Sequence, residues 1–278
     1  MEGFRIWMKL QEGHKIKGGY RGNYYQRLVA AMYRLTPNAP EDPEVREGYE
    51  QLWMQIVRQL KMARSDYEMR FSQEDPFASF KALKKSIDDQ RKAGVRRPVI
   101  TAYAPEKGLG PNADPSQKGH PFWNKQQDAI FGWVHDAMSH LKGNHPFTAR
   151  GEYSAYLRHM SMMSDPETMR AGKSVIAKVL FTEVVGQTSY YYIYGDFPPQ
   201  KAMILRDFDH YNIGWLAKDS PLNSLFVYDG GKKDLLPVPG ISVRDLDRAR
   251  PGLTEEWLTQ ERMFTERKSK PKFVLAQV

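Results

Sequence analysis

Between His120 and Gln187 the chain must bury polar groups. Apolar residues recur there at helical spacing. Threaded through them are five of the seven histidines (His120, His135, His140, His145, His159), together with Asp136, Glu152 and Glu183. If these segments form helices, their contact faces carry imidazole and carboxylate. A packed interior must then pair those groups with one another or give them a ligand.

The flanking pattern is mainly helical. Leu28, Met32 and Leu35 share a face of a helix over about 24–35, which stops before Pro37. A longer helix is expected over 43–71, with Pro43 in the first turn and Leu52, Ile56, Leu60 and Ala63 as its stripe. A third is expected from Asp75-Pro76 to Lys92, ended by Gly94. RRPVITAYAP reads as a short strand near 98–103, and a Gly/Pro-rich loop over 105–121 leads to His120. Helices are expected over 124–141, 150–163 and, from Pro166 with Asp165 as its cap, to Gln187. Tyr190–Tyr194 reads as β-like or a helix end, and Gln200–Leu205 as another short helix. Leu225–Tyr228 and Leu235–Val238 around Asp229-Gly230-Gly231 read as a hairpin near 225–238, followed by a helix over 254–267. The expected fold is therefore mainly α: a bundle-like core with a small β element. Residues 1–207 form the helical core domain, with the His/Glu-rich module at 120–205. Residues 208–278 form a less regular extension with hairpin, helix and basic tail.

Composition narrows the chemistry. There is no cysteine, which excludes disulfides, thiolate ligands and a cysteine nucleophile. The first residues, MEGFRIWMKLQEGHK, lack the apolar core of a secretory signal and read as a short arm, and no apolar run is long enough to span a bilayer. A net charge of +8 favours anionic partners. No phosphate-binding glycine loop, nucleophile elbow or dinucleotide fingerprint is present.

Helical phase limits which polar residues cooperate. At about 100° per residue, Asp136 and His140 share a face, whereas His135 and His140, five apart, diverge. Glu152 and His159, seven apart, align with Tyr156 between them, and Glu183 aligns with Gln187. Imidazole and carboxylate are the ligands of Zn²⁺, Mn²⁺ or Fe²⁺ when thiolates are absent. The expected ligands are His135, Asp136, His140 and His159, with Glu152 or Glu183 as general base and Tyr156, Gln187, Gln200 and Lys201 completing the polar centre. The His-Asp pair is how HD-type phosphohydrolases present two ligands. The Glu-x-x-His spacing of helical di-iron carboxylate sites is missing.

The order Asn124…Asp128-x-x-Phe131-x-x-Val134-His135-Asp136-x-x-x-His140, Phe147-x-x-x-Gly151-Glu152-x-x-Ala155-x-x-x-His159-x-x-Met162, Thr182-Glu183-x-x-Gly186-Gln187, Phe197-x-x-Gln200-Lys201 resembles a domain of bacteriophage and prophage proteins. That domain is often one module of very large polyvalent phage polypeptides. The resemblance covers His120 to Leu205 and implies a phage origin and a helical module with a polar centre, without supplying a mechanism. The family form often reads Arg-Gly-Gln-Asn where this chain has Val185-Gly186-Gln187-Thr188.

Two readings are open. In one, the cluster holds a divalent metal and the chain is a hydrolase-like enzyme acting on a phosphate-containing substrate. In the other, the chain is a capsid, neck or tail-associated virion protein and the same residues are a buried network. Partners would then be other virion proteins, or nucleic acid through the basic tail ending KSKPKFVLAQV, and the location host cytoplasm or virion, with no membrane.

Overall fold

The computed structural model describes residues 24–74, 77, 79–104, 119–163, 174–232 and 234–269. The expected N-terminal arm, the Asp165 cap, most of the 105–121 loop and most of the basic tail lie outside them. The chain is mainly α, and the described residues form two two-stranded sheets. Among the described residues, no helix is long and apolar enough to cross a membrane.

Helix α1 (Tyr24–Leu35) lies at the centre, with Tyr24 through Tyr33 buried on every face. Helix α2 (Pro43–Ala63) is capped by Asp42, whose carboxylate accepts from the Glu44 and Val45 amides. Its buried stripe is Val45, Tyr49, Leu52, Ile56, Gln59 and Ala63, so a Gln and a Tyr hydroxyl enter the core on a helical repeat. The helix stops at Ala63 rather than running to Phe71. Ser65 and Asp66 turn the chain, and Glu68–Ser72 becomes strand β1 instead. Helix α3 (Phe80–Lys92) is capped by the Ser79 hydroxyl, which accepts from the Ala82 amide; its expected start at Asp75-Pro76 lies outside the described residues. It is the crossover between β1 and the parallel strand β2 (Val99–Tyr103), as a parallel pair requires. Ile100 and Ala102 face the core, and the Gln90 side chain pairs with both backbone groups of Val99.

Helix α4 (Lys125–Val134) starts in a capping box between Asn124 and Gln127 and is tied to β2 by Trp133 Nε1 donating to Ile100 O at 2.9 Å. It passes without interruption into a π-helical segment, His135–Leu141. Helix α5 (Ala149–Ser161) follows, then α6 (Val175–Phe181), a second π segment (Thr182–Gly186), and α7 (Gln187–Tyr194), which ends on Gly195 with φ 84°. Tyr190–Tyr194 is thus helical. Gln200–Leu205 is not. Ala202 through Leu205 are all buried, and their backbone bonds go to other segments: Ala39 N to Ala202 O, Ala202 N to Asn38 Oδ1, and Thr182 Oγ1 to Met203 O. A helix would have spent those groups internally.

The hairpin forms as β3 (Phe226–Asp229) and β4 (Asp234–Pro237), followed by α8 (Val243–Ala249) and α9 (Leu253–Ser269). These elements share the core of the helices before them: Phe226, Leu235, Leu246 and Trp257 are buried in the same apolar cluster as Leu28 and Leu52. Buried Arg27 of α1 stacks over Trp257 at 4.1 Å and pairs with buried Glu261.

Candidate metal centre

The first π segment creates the site. In an α-helix His135 and His140 would point about 140° apart. In a π turn of about 4.4 residues, five positions exceed one turn by only about 50°. The two rings therefore meet, with His135 Nε2 and His140 Nε2 2.8 Å apart. The wide register is visible in the backbone, where the Lys142 amide reaches Ala137 O, five residues back.

Helix α5 supplies the third group. Thr148 caps it through the Gly151 amide, and its first turn places Glu152 Oε2 3.0 Å from His135 Nε2 and 3.2 Å from His140 Nε2. Three donor atoms thus form a triangle with edges of 2.8, 3.0 and 3.2 Å. A tetrahedral zinc site with bonds of about 2.05 Å has ligand–ligand edges of about 3.3 Å. His135, His140 and Glu152 could hold a metal ion with little movement.

The protons are fixed by the surroundings. After Gly143, Asn144 takes a left-handed conformation (φ 53°) and the chain doubles back, so that His140 Nδ1 lies 2.7 Å from His145 O. A carbonyl only accepts, so His140 Nδ1 carries the hydrogen and Nε2 is a bare lone pair in the neutral ring. His159 Nδ1 lies 2.7 Å from Gln59 Oε1 and donates to it. His159 Nε2 then accepts from His135 Nδ1 at 3.1 Å, which leaves His135 Nε2 bare as well. Gln59, His159 and His135 form a one-directional relay from α2 to the triangle. Two imidazole lone pairs and a carboxylate oxygen cannot sit this close without a cation among them, either a proton or a metal ion.

The electrostatics agree. Burial alone would raise the Glu152 carboxyl, but positive charge on His140 and the close approach of both imidazoles hold it down to about 2, so a cation in the triangle is favoured. Burial opposes charge on His140, yet Glu152, with Asp136 and the His145 carbonyl, raises it above the ordinary histidine value. Burial and then His140 lower His135. Burial, His135 and His140 push His159 well down, so it stays a neutral relay. The triangle is walled by Phe147, edge-on to His140 at 4.7 Å, and by Phe131 against His135 and His159. Its open side lies at His135 and Glu152, whose side chains are 15% and 14% exposed, while that of His140 is 1% exposed.

The remaining expected residues are placed elsewhere. His159 stands behind His135 rather than in the triangle. Asp136 acts on His140 through its charge. Tyr156 points away from the triangle and donates to His210 O and Ala177 O. Lys201 donates to the carbonyls of Tyr33, Arg34 and Thr36 and so closes the C-terminal end of α1. Glu183, on the second π segment, centres a separate cluster. Oε1 accepts from Tyr49 OH and from His120 Nε2 at 3.3 Å, and Oε2 accepts from Gln187 Nε2 at 2.6 Å. Gln187 and Gln200 pair through their amides. His120 is held as the Nε2–H tautomer, because its Nδ1 accepts from the Phe122 and Trp123 amides. Beside this cluster, burial pushes the Asp128 carboxyl up to about 6 against the pull of His120, with Glu183 adding to the rise. A column of rings joins the clusters: His120 on Trp123 at 4.5 Å, Trp123 on Phe131 at 5.0 Å, then Phe131 on His135.

Sequence reasoning missed Gln59, Tyr49, Asp128 and the importance of His120. Gln59 and Tyr49 had a signal, since each is a polar group at a buried-stripe position of α2. His120, beside Pro121, reads as a loop residue, and only the tertiary structure buries it. Comparison with protein-family models, with curated proteins and with solved structures found no match.

Proposed function

We propose that His135, His140 and Glu152 hold one divalent metal ion, zinc first among Zn²⁺, Mn²⁺ and Fe²⁺, and that the chain is a metal-dependent hydrolase-like protein. One observation carries this: His135 Nε2, His140 Nε2 and Glu152 Oε2 converge within 3.2 Å of one another, in rings oriented by the Gln59–His159 relay and by His145 O. Two imidazoles and one carboxylate with an open side are a catalytic rather than a closed structural ligand set. A divalent ion held by His135, His140 and Glu152 would supply Lewis-acid activation of water at neutral pH. The chain's own residues hold the geometry. His145 O and the Gln59–His159 relay orient the two rings, and Phe131 and Phe147 keep bulk water from the back of the site. The phosphate-containing substrate and the phage-module origin are carried as part of this proposal from the residue pattern.

For Glu183 the geometry favours a packing role. Its side chain is 2% exposed, and both oxygens are filled by neutral donors from α2, the 120 segment and α7. That is the buried-network half of the alternative reading.

Elemental analysis and zinc titration of chelator-stripped protein test the metal. One equivalent is expected, lost in His140→Ala and in Glu152→Ala, and weakened by about 10–100-fold in His159→Phe, which removes only the outer partner. Hydrolysis of a chromogenic phosphodiester should appear with the metal and vanish with it. Unchanged stoichiometry in the His135→Ala/His140→Ala variant would overturn the site. Stoichiometric metal without any hydrolysis would overturn the enzymatic reading.

A further inference from the structure

The π segment that carries His135 and His140 ends at Leu141, and Leu141 with Lys142 forms one wall of a solvent-open groove of about 550 Å³. The parallel pairing of β1 and β2 creates this groove. Register Glu68↔Val99 brings the segments entering the two strands to the same edge, so Asp66 faces Arg96 and Arg97 across thirty residues of sequence. Gly94, with φ 82°, ends α3 in the left-handed conformation that glycine adopts without strain, and the turn returns Arg96 beside Arg91.

The lining holds four cations, Arg91, Arg96, Arg97 and Lys142, against one carboxylate, Asp66. All four cations are exposed. Lys142 pairs with Asp66, Arg97 reaches Glu68 at 3.4 Å, and Arg91 lies over the Tyr67 ring. Among the described residues, no hydrogen bond or ion pair holds Arg96. Exposed pairs such as these are weak and exchange readily for a stronger anion. Three guanidinium groups offer planar forks matched to phosphate oxygens, which a carboxylate-lined or apolar groove would not.

We propose that this groove binds the phosphodiester backbone of a nucleic acid. The charge excess supplies the attraction, the arginine forks supply the geometry, and an open groove suits a chain passing through rather than a small enclosed ligand. The site is separate from the metal triangle and does not depend on it.

The test is fluorescence anisotropy of a short labelled single-stranded oligonucleotide over a range of salt, with metal-free protein in chelator, so that the result is independent of the metal reading. Arg96→Ala/Arg97→Ala should weaken binding at least about tenfold and reduce the slope of log affinity against log salt by about 1.4, at about 0.7 per lost cation. Lys84→Ala/Lys85→Ala, on the exposed face of α3, removes the same charge outside the groove and should leave both quantities unchanged. Equal losses in the two double variants would overturn the site. So would displacement of the oligonucleotide from the wild-type protein by millimolar inorganic phosphate at constant ionic strength, which would mark a free-phosphate site. Absence of oligonucleotide binding by the wild-type protein at low salt would also overturn it.

Discussion

Gly151 sets where Glu152 can stand. A Cβ on Gly151 would come within 1.8 Å of Pro146 O, a backbone atom that cannot swing aside. The turn Pro146–Thr148 therefore packs directly on the first turn of α5 and fixes the carboxylate that follows. Gly151→Ala is expected to destabilise the protein by about 1–3 kcal/mol and to weaken zinc uptake although every ligand is intact. Thermal denaturation and zinc titration check this; an unchanged midpoint and affinity would show that the turn gives way freely. At this scale the sequence named His135, His140 and Glu152, which the fold brings together, but not the hydrogen-bond partners that orient them. His159 was expected as a ligand, but its two nitrogens are used by Gln59 and His135. A tautomer depends on partners far away in sequence, one hundred residues in the case of Gln59, so no local pattern displays it.

At the scale of elements, helical arithmetic was right along α5 and wrong across the first π segment. Glu152 and His159, seven apart on α5, do share a face, and both meet His135. Asp136 and His140 were expected to pair and His135 to diverge, yet the π register gives His140 to His135. The wider turn closes the angle between His135 and His140 from about 140° to about 50°, and π turns concentrate at functional sites. Caps, by contrast, were only partly local. Asp42 and Ser79 cap their own helices, but α1 is capped from the hairpin: the Asp234 carboxylate accepts from the Tyr24 and Tyr25 amides at 3.1 and 3.2 Å. Asp234→Ala should cost about 1 kcal/mol, the usual loss of a capping carboxylate. Urea denaturation measures it, and a value near zero would mean that water replaces the cap at no cost.

Across the whole molecule, the hairpin and α9 close the core around α1, and the buried Arg27–Glu261 pair joins the two ends of the described chain. His210 is buried too, against the Phe181 ring, and donates from Nε2 to Leu205 O at 3.0 Å. Burial first, against the help of that carbonyl, lowers its pKa from 6.5 to about 4. The unfolded chain then takes up this proton near 6.5, while the folded protein resists until about 4. Stability is therefore lost as pH falls through that window, by about 3 kcal/mol in all. The Glu152 contribution, from a pKa lowered to about 2, is lost at lower pH, below the unperturbed carboxylate value of 4.5. His210→Gln, which keeps a donor without a titrating ring, should flatten the stability profile between pH 6.5 and 4. Denaturation midpoints across that range decide it, and parallel profiles for the two proteins would rule His210 out.

The sequence by itself determined the helical class, the strand at 99–103, the hairpin, and a centre rich in imidazole and carboxylate, because apolar period, turn residues and residue type are local properties. It also determined that any metal there would be held by nitrogen and oxygen. Only the tertiary structure decided which of those residues meet. The π register turned His135 toward His140, α5 brought Glu152 across to both, and Gln59 and His145 fixed the protons. These are distances between segments, set by how the helices pack, and they gather His135, His140 and Glu152 while sealing Glu183 into a separate network.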